Sequence, residues 1–248
     1  MVPIASLTKM MTTWVILHRL PLTFTQRGPC LIVDSHDVAL YNYDVATDQS
    51  NARIVLGENI CEGTLFRGLL VHSAGDYAQL LLRLVHLSGP ELVAMMNHDA
   101  KRLGLNHTHY VDITGISPGD RSSASDQAKL AYDLMRAEPI VDRIVAMPTV
   151  TLPYAGLLGS YTPYVGAYGV IGVKSGLTGA AGGTDVMATK MIVDHTTIIA
   201  YAVVLSQFGS NPLLAAGNAA LTLSRSLRMA IAPSRSPHGI VIKWRGPS

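Results

Sequence analysis

Two apolar, β-branched runs, Val186–Val193 and Thr196–Ser206, meet at Asp194-His195 and predict a long antiparallel hairpin. The chain is rich in Val, Ile, Thr, Tyr and Gly from about residue 148, and Val170-Ile171-Gly172-Val173 reads as a further short strand. Upstream, apolar residues recur at helical spacing instead. Met10, Met11, Trp14, Val15, Leu17 and Leu20 predict a helix over Ile4–Leu20, stopped by Pro21. Residues 21–63 read as loop-rich, and helices follow from Thr64 to Val71, Asp76 to Leu87 and Glu91 to Leu103. Ser123 with Asp126 starts another through Met135. Asn211 caps a helix to Met229 with Pro212 at its first position, and Ile240, Ile242 and Trp244 alternate as a last short strand.

The fold class is therefore α+β: an antiparallel sheet flanked by helices, with an inserted all-helical region. The 248 residues read as one domain, its α/β part at about 1–25 and 148–248 and its helical part at about 26–147. With 48% hydrophobic and 15% charged residues the chain is globular, not disordered. A balance of 19 Lys+Arg against 17 Asp+Glu, without a basic run, argues against a nucleic-acid partner. The longest apolar run, Ile198–Leu205, falls well short of the ~20 residues a membrane-crossing helix needs. Met1–Ala5 has no basic region leading into an apolar stretch, so no signal peptide is expected in the chain as written. Cys30 and Cys61 stand outside metal-ligand spacing, and a bridge or two buried thiols are both open readings. His98, His107 and His109 lack the partners of a metal set and read as surface residues.

Three short motifs carry chemistry. Ser6-Leu7-Thr8-Lys9 sets a hydroxyl and an amine one turn apart at a helix start. A serine is a nucleophile only beside a base, and a lysine is a base only when its pKa is lowered. Lys174-Ser175-Gly176, ending an apolar strand before Leu177, suits a carboxylate held beside a sheet edge. Ser73-Ala74-Gly75-Asp76 interrupts two helices and places a hydroxyl where a proton relay could stand. Singly, each has a plainer reading as a cap, a solvated lysine or a turn.

In this order the three motifs form the penicilloyl-serine signature. The sequence resembles the serine D-alanyl-D-alanine carboxypeptidases, the low-molecular-mass penicillin-binding proteins. Pro3–Thr12 is similar to their P-x-A-S-L-T-K-M-M-T block, and Gly68–Asp76 to their L-L-x-x-S-G-N-D-A turn. Met96-Asn97 through Gly104-Leu105-Asn106-His107-Thr108 and Gly172–Thr178 with Ala181-Gly182 extend the resemblance across most of residues 3–206. The resemblance implies Ser6 as the acylated nucleophile, Lys9 as its base and Ser73 as relay to the leaving D-alanine. It implies Lys174 and Ser175 as holders of the substrate carboxylate, with Lys174 helping to keep Lys9 neutral by like-charge repulsion. The amides of Ser6 and Leu177 would form the oxyanion hole, and Gly176 and Gly75 belong to the substrate-binding set. The implied partners are peptidoglycan stem peptides ending in D-Ala-D-Ala and β-lactam antibiotics. The implied location is outside the cytoplasmic membrane, and neither cofactor nor metal is required.

Two departures shape the expectation. Gly75 stands where the family carries Asn, a loss worth about 2–4 kcal/mol of transition-state stabilisation by analogy with one oxyanion-hole donor. Gly75→Asn is therefore expected to raise acylation. The chain also starts five residues before Ser6, so N-terminal strands preceding that serine in the family are expected to be missing. The alternatives are a degenerate or truncated penicillin-binding protein without turnover, and a serine β-lactamase or esterase. Only Glu91 and Glu138 follow the middle motif, and Glu138–Asp142 does not resemble a deacylating-glutamate loop.

Overall fold

The computed structural model describes residues 1–193 and 195–231. The expected strand at Ile240–Trp244 lies outside the described residues.

Chain entry is a two-residue strand, β1 (Val2–Pro3), and a tight 3-10 turn at Ala5–Leu7 that leads into α1 (Thr8–Arg19). Every residue of α1 from Thr8 to Leu17 is buried. A helix shielded on all sides sits inside a bundle. Its cover is α3 (Glu62–Val71), α4 (Gly75–Leu84), α5 (Gly89–Arg102) and α6 (Ala124–Ala137), all packed against it. Ser88 and Glu91 form a reciprocal capping box that starts α5, while Ser123 accepts the Asp126 amide to start α6.

Residues 21–63 carry more order than expected. They hold β2 (Cys30–Ile32), α2 (Ser35–Ala46) and β3 (Asn59–Cys61). Asp34 and Asp37 cap α2 reciprocally, but only Asp37 of the helix is buried. A helix this solvated has no apolar stripe to reveal it. It is held by charge: Arg83 of α4 bonds Asp37, and lies 3.1 Å from Asp34. Cys30 and Cys61 face each other across β2–β3 and are joined as a disulfide. That settles the open reading in favour of the bridge.

β4 (Arg121–Ser122) pairs with β1, α7 (Pro139–Val145) is opened by its proline, and β5 (Thr149–Leu152) pairs with β6 (Gly156–Gly159). The main sheet is antiparallel, β7 (Val170–Thr178), β8 (Gly182–Val193) and β9 (Thr196–Gln207), in the order β7-β8-β9. The β8–β9 register ends at Val193 opposite Thr196, as the hairpin pattern predicts. Final helix α8 (Pro212–Ile231) packs on β8 and β9 through Ala216, Ala220 and Leu221 against Met187, Ala202 and Val204. Val173, Val186 and Ala188 join the core shared with the helical region. Among the described residues this arrangement leaves one edge of β7 unpaired within the sheet and brings it against the turn that carries Ser6.

Candidate active site

The turn at Ala5–Leu7 presents Ser6 at the mouth of a cleft, with Ala5 in the left-handed region at φ 48°. Non-glycine residues adopt this conformation only when their surroundings enforce it. Part of the enforcement is Gly115, at φ +86°, whose missing Cβ leaves room for the Ala5 carbonyl. Asp112 shapes the loop around Gly115 by accepting the amides of Thr114 (2.6 Å), Gly115 (2.6 Å) and Ser117 (2.5 Å). Asp120 ties the same loop to α1, accepting the Val111 amide (2.6 Å) and the Thr8 hydroxyl (2.7 Å).

Lys9 Nζ lies 2.9 Å from Ser6 Oγ and 2.9 Å from the Thr114 carbonyl. The side chain is buried, and burial pushes its pKa down to about 8 against the opposing pull of Asp112, Asp44, Asp76 and Asp120. Ser73 lies between α3 and α4 at φ 63°, buried, and among the described residues its Oγ has no hydrogen-bond partner. Free hydroxyls at such depth are uncommon, and this one borders the cleft with Ser6.

β7 forms the opposite wall through Ser175, Gly176 and Leu177. Ser175 donates to the Tyr161 carbonyl at 2.9 Å. Lys174 is fully buried and donates to the Ser175 carbonyl at 2.8 Å. Burial and the repulsion of Lys9 hold its pKa well below the ordinary lysine range, with Asp185 opposing. The mutual repulsion expected between the lysines thus bears on Lys174, while burial is what lowers Lys9. Asp48, Ser50, Tyr161 and Leu213 complete the cleft, which encloses 220 Å³. A larger cavity of 340 Å³ between β8 and α8 contains none of the motif residues.

The structure thus gathers Ser6, Lys9, Ser73, Ser175, Gly176 and Leu177 around one cleft, with Lys174 beneath the β7 wall. Gly75 opens α4, donating its amide to the Ser50 carbonyl at 2.7 Å. Motif reading missed Asp112, Thr114, Asp44, Asp48 and Asp185. Asp112-x-Thr114-Gly115 is an Asx-turn pattern and was legible as a loop, though nothing marked it as a support for Lys9. Asn97, in the fourth stretch of resemblance, clamps the Tyr110 carbonyl (2.7 Å) and amide (2.9 Å), away from the cleft.

A serine hydroxyl beside a lysine of lowered pKa, next to a sheet edge that can take an extended peptide, is a geometry suited to acyl transfer through a serine ester. The sequence model of the D-alanyl-D-alanine carboxypeptidase family matches residues 1–208, and the chain belongs to that family. It is 29% identical over 185 residues to the D-alanyl-D-alanine carboxypeptidase DacD of Salmonella typhimurium, covering 72% of this chain and 46% of the relative. It is 28% identical over 197 residues to the D-alanyl-D-alanine endopeptidase of Escherichia coli, covering 75% and 59%. The chain thus spans about half the length of these curated relatives. Among solved structures it is similar to the Streptomyces K15 DD-transpeptidase, at TM-score 0.73 and 22% identity over 90% of this chain and 87% of that one. It is also similar to penicillin-binding protein D2 of Listeria monocytogenes in its ampicillin-bound form, at TM-score 0.68 and 23% identity, covering 90% and 86%. These likenesses establish the fold.

Proposed function

We propose that the chain is the catalytic domain of a serine D-Ala-D-Ala carboxypeptidase. The observation that carries the reading is Lys9 Nζ at 2.9 Å from Ser6 Oγ, beneath a cleft walled by Ser73 and by Ser175–Leu177 of β7. Stem peptide lies along the β7 edge with its terminal carboxylate towards Ser175 and Lys174. Ser6 Oγ attacks the penultimate carbonyl carbon as its proton passes to Lys9 Nζ. The amides of Ser6 and Leu177 receive the oxyanion. Collapse breaks the peptide bond, the Lys9 proton reaches the departing D-alanine nitrogen by way of Ser73, and water then cleaves the ester. β-Lactams acylate the same oxygen. The substrate places the site outside the cytoplasmic membrane, a location in keeping with the Cys30–Cys61 disulfide. Among the described residues no helix is long and apolar enough to cross a membrane.

Gly75 favours a second reading, binding without turnover, because no side chain from that position reaches the cleft. Incubation with a fluorescent penicillin, beside Ser6→Ala, tests both. An adduct on the Ser6 peptide, absent from the variant, followed by D-alanine release from a D-Ala-D-Ala peptide, supports the carboxypeptidase. An adduct without release supports the second reading, and no adduct on a folded chain removes the nucleophile assignment.

A further inference from the structure

Gly75 leaves a space that is already taken. A Cβ at position 75 would lie 3.4 Å from Asp44 Oδ2, 3.3 Å from the Ser50 carbonyl and 4.0 Å from Thr114 Cγ2. Asp44 comes from the last turn of α2, an element whose other polar residues largely face water. Its carboxylate, by contrast, is half-buried at the N-terminus of α4, beside the open face of Gly75, and feels the charge of Lys9. Thr114, on the far side of the same space, is the residue whose carbonyl holds Lys9 Nζ. One small region thus contains the open face of Gly75, the carboxylate of Asp44 and the anchoring loop of the catalytic amine.

We propose that Asp44 is a positioning residue for Lys9. Its carboxylate fills the space beside Gly75 and supplies the counter-charge for the ammonium that Lys9 becomes on taking the Ser6 proton. This inference rests on the reading of Ser6 as the acylated residue. Asp44 exchanges no proton: the hydrogen moves from Ser6 Oγ to Lys9 Nζ and onward to the leaving nitrogen, while burial raises the Asp44 pKa and the charge of Lys9 opposes that rise. A carboxylate does for the transferred charge what a neutral amide at position 75 could do only through its dipole. The device also places its group from a different helix, so Gly75 and Asp44 act as a pair. Gly75→Asn alone forces a side chain against Asp44 and Ser50, and so loses the gain in acylation expected from sequence.

Other charges face Lys9 from every side. Asp112 and Asp120 stand in the loop before β4, Asp76 on α4 and Lys174 on β7, with Asp185 on β8 behind Lys174. The contribution of Asp44 must therefore be isolated. The acylation rate with a fluorescent penicillin is measured against pH for the full chain, Asp44→Asn, Gly75→Asn and the double variant Asp44→Ala/Gly75→Asn. In Asp44→Asn the midpoint of the rising limb moves to lower pH, by about one unit or less for a half-buried charge, and the plateau rate falls. The double variant shows the same downward shift, with a plateau above that of Gly75→Asn alone, a non-additivity that marks a shared space. An unmoved midpoint in folded Asp44→Asn, or strict additivity, overturns the proposal. Carbon-13 NMR titration of the Lys9 side chain in the same proteins needs no turnover. A Lys9 pKa unchanged by Asp44→Asn overturns the pairing. A lowered one supports it even if Ser6 proves unreactive, which would sink the functional reading alone. Should Asp44→Asn not fold, the double variant carries the same NMR test.

Discussion

The backbone nitrogen of Ser6 lies only 2.7 Å from where a Cβ on Gly176 would stand. The glycine of the lysine motif is therefore a clearance: it lets β7 approach the turn that carries Ser6 as closely as the proposed oxyanion site between the Ser6 and Leu177 amides requires. The same absent Cβ would meet Thr184 Oγ1 at 2.9 Å and Ala5 Cβ at 3.0 Å, so an alanine fits only if β7 draws away from the Ser6 turn. Gly176→Ala is expected to reduce acylation by penicillin by about two to three decades, the loss associated with one oxyanion donor. The chain should still fold, because β7 can move outward along an unpaired edge. A rate within a few-fold of the parent, by stopped-flow labelling, would show that the close approach is not used.

Lys9 carries the next expectation. Burial sets its pKa at about 8, and in the proposed mechanism the base is the neutral amine. About a tenth of it is neutral at pH 7, so acylation should rise nearly tenfold per pH unit below 8 and level off above. Lys9→Arg, charged at every accessible pH, should remove the rise together with about 10²–10⁴ of the rate. A flat profile between pH 6 and 9 in the parent would exclude Lys9 as the base.

Asp185 is the partner of Lys174 in charge if not in contact. Both are fully buried, and neither Asp185 oxygen has a hydrogen-bond partner. Burial drives Lys174 towards neutrality and pushes the Asp185 carboxyl well up, and each opposes the shift of the other. Asp185→Asn should therefore leave Lys174 more often uncharged, weakening capture of a carboxylate. The expected result is a rise of about tenfold or more in the penicillin concentration for half-maximal acylation rate, with a smaller change in the rate at saturation. Equal falls in both would assign Asp185 to structure alone.

Glu62, the first residue of α3, is buried with neither carboxylate oxygen bonded, and burial lifts its pKa to about 7. A carboxyl whose pKa is raised on folding binds its proton more tightly in the native state, so stability falls as pH rises from about 4.5 to 7. Asp76, also lifted to about 7, and Asp120, to about 6, act in the same direction. The chain should melt at a lower temperature at pH 8 than at pH 5. Glu62→Gln should reduce that difference and raise Tm at pH 8 by about 2–4 °C, the equivalent of ~1 kcal/mol in a chain of this length. A Glu62→Gln variant that melts lower at pH 8 would show that the carboxylate has found a partner.

How much of this was legible in the sequence depends on whether a residue's task is local. Ser6 and Lys9 are one helical turn apart and Lys174–Leu177 are contiguous on one strand, so each pair declares its geometry by spacing. The β8–β9 hairpin and the core-facing helices were readable because burial imposes a period. α2 was not, since a helix held by caps and by Arg83 needs no apolar stripe. Asp44, Asp185 and Thr114 reach the site by folding from far along the chain, and an isolated aspartate or threonine carries no signal of its destination. Gly75 was readable as a departure, but its neighbour across the gap was not. A close approach between two elements is a fact of packing, invisible to either segment alone.

The disulfide gives the cleft a history. Cys30 and Cys61 tie off the stretch of chain that carries α2, Asp44, Asp48 and Ser50. While those cysteines remain thiols, that stretch is free to explore many more arrangements, and the carboxylate beside Gly75 and the wall formed by Asp48 and Ser50 lose their anchor. Oxidation therefore bears on the wall of the cleft as well as on a small sheet. On the proposed function, a chain kept in a reducing compartment would hold Ser6 and Lys9 in a site without those anchored walls. The same chain in an oxidising one would acquire those walls and charges, and the proposed activity would then arrive with the surroundings in which its proposed substrate is met.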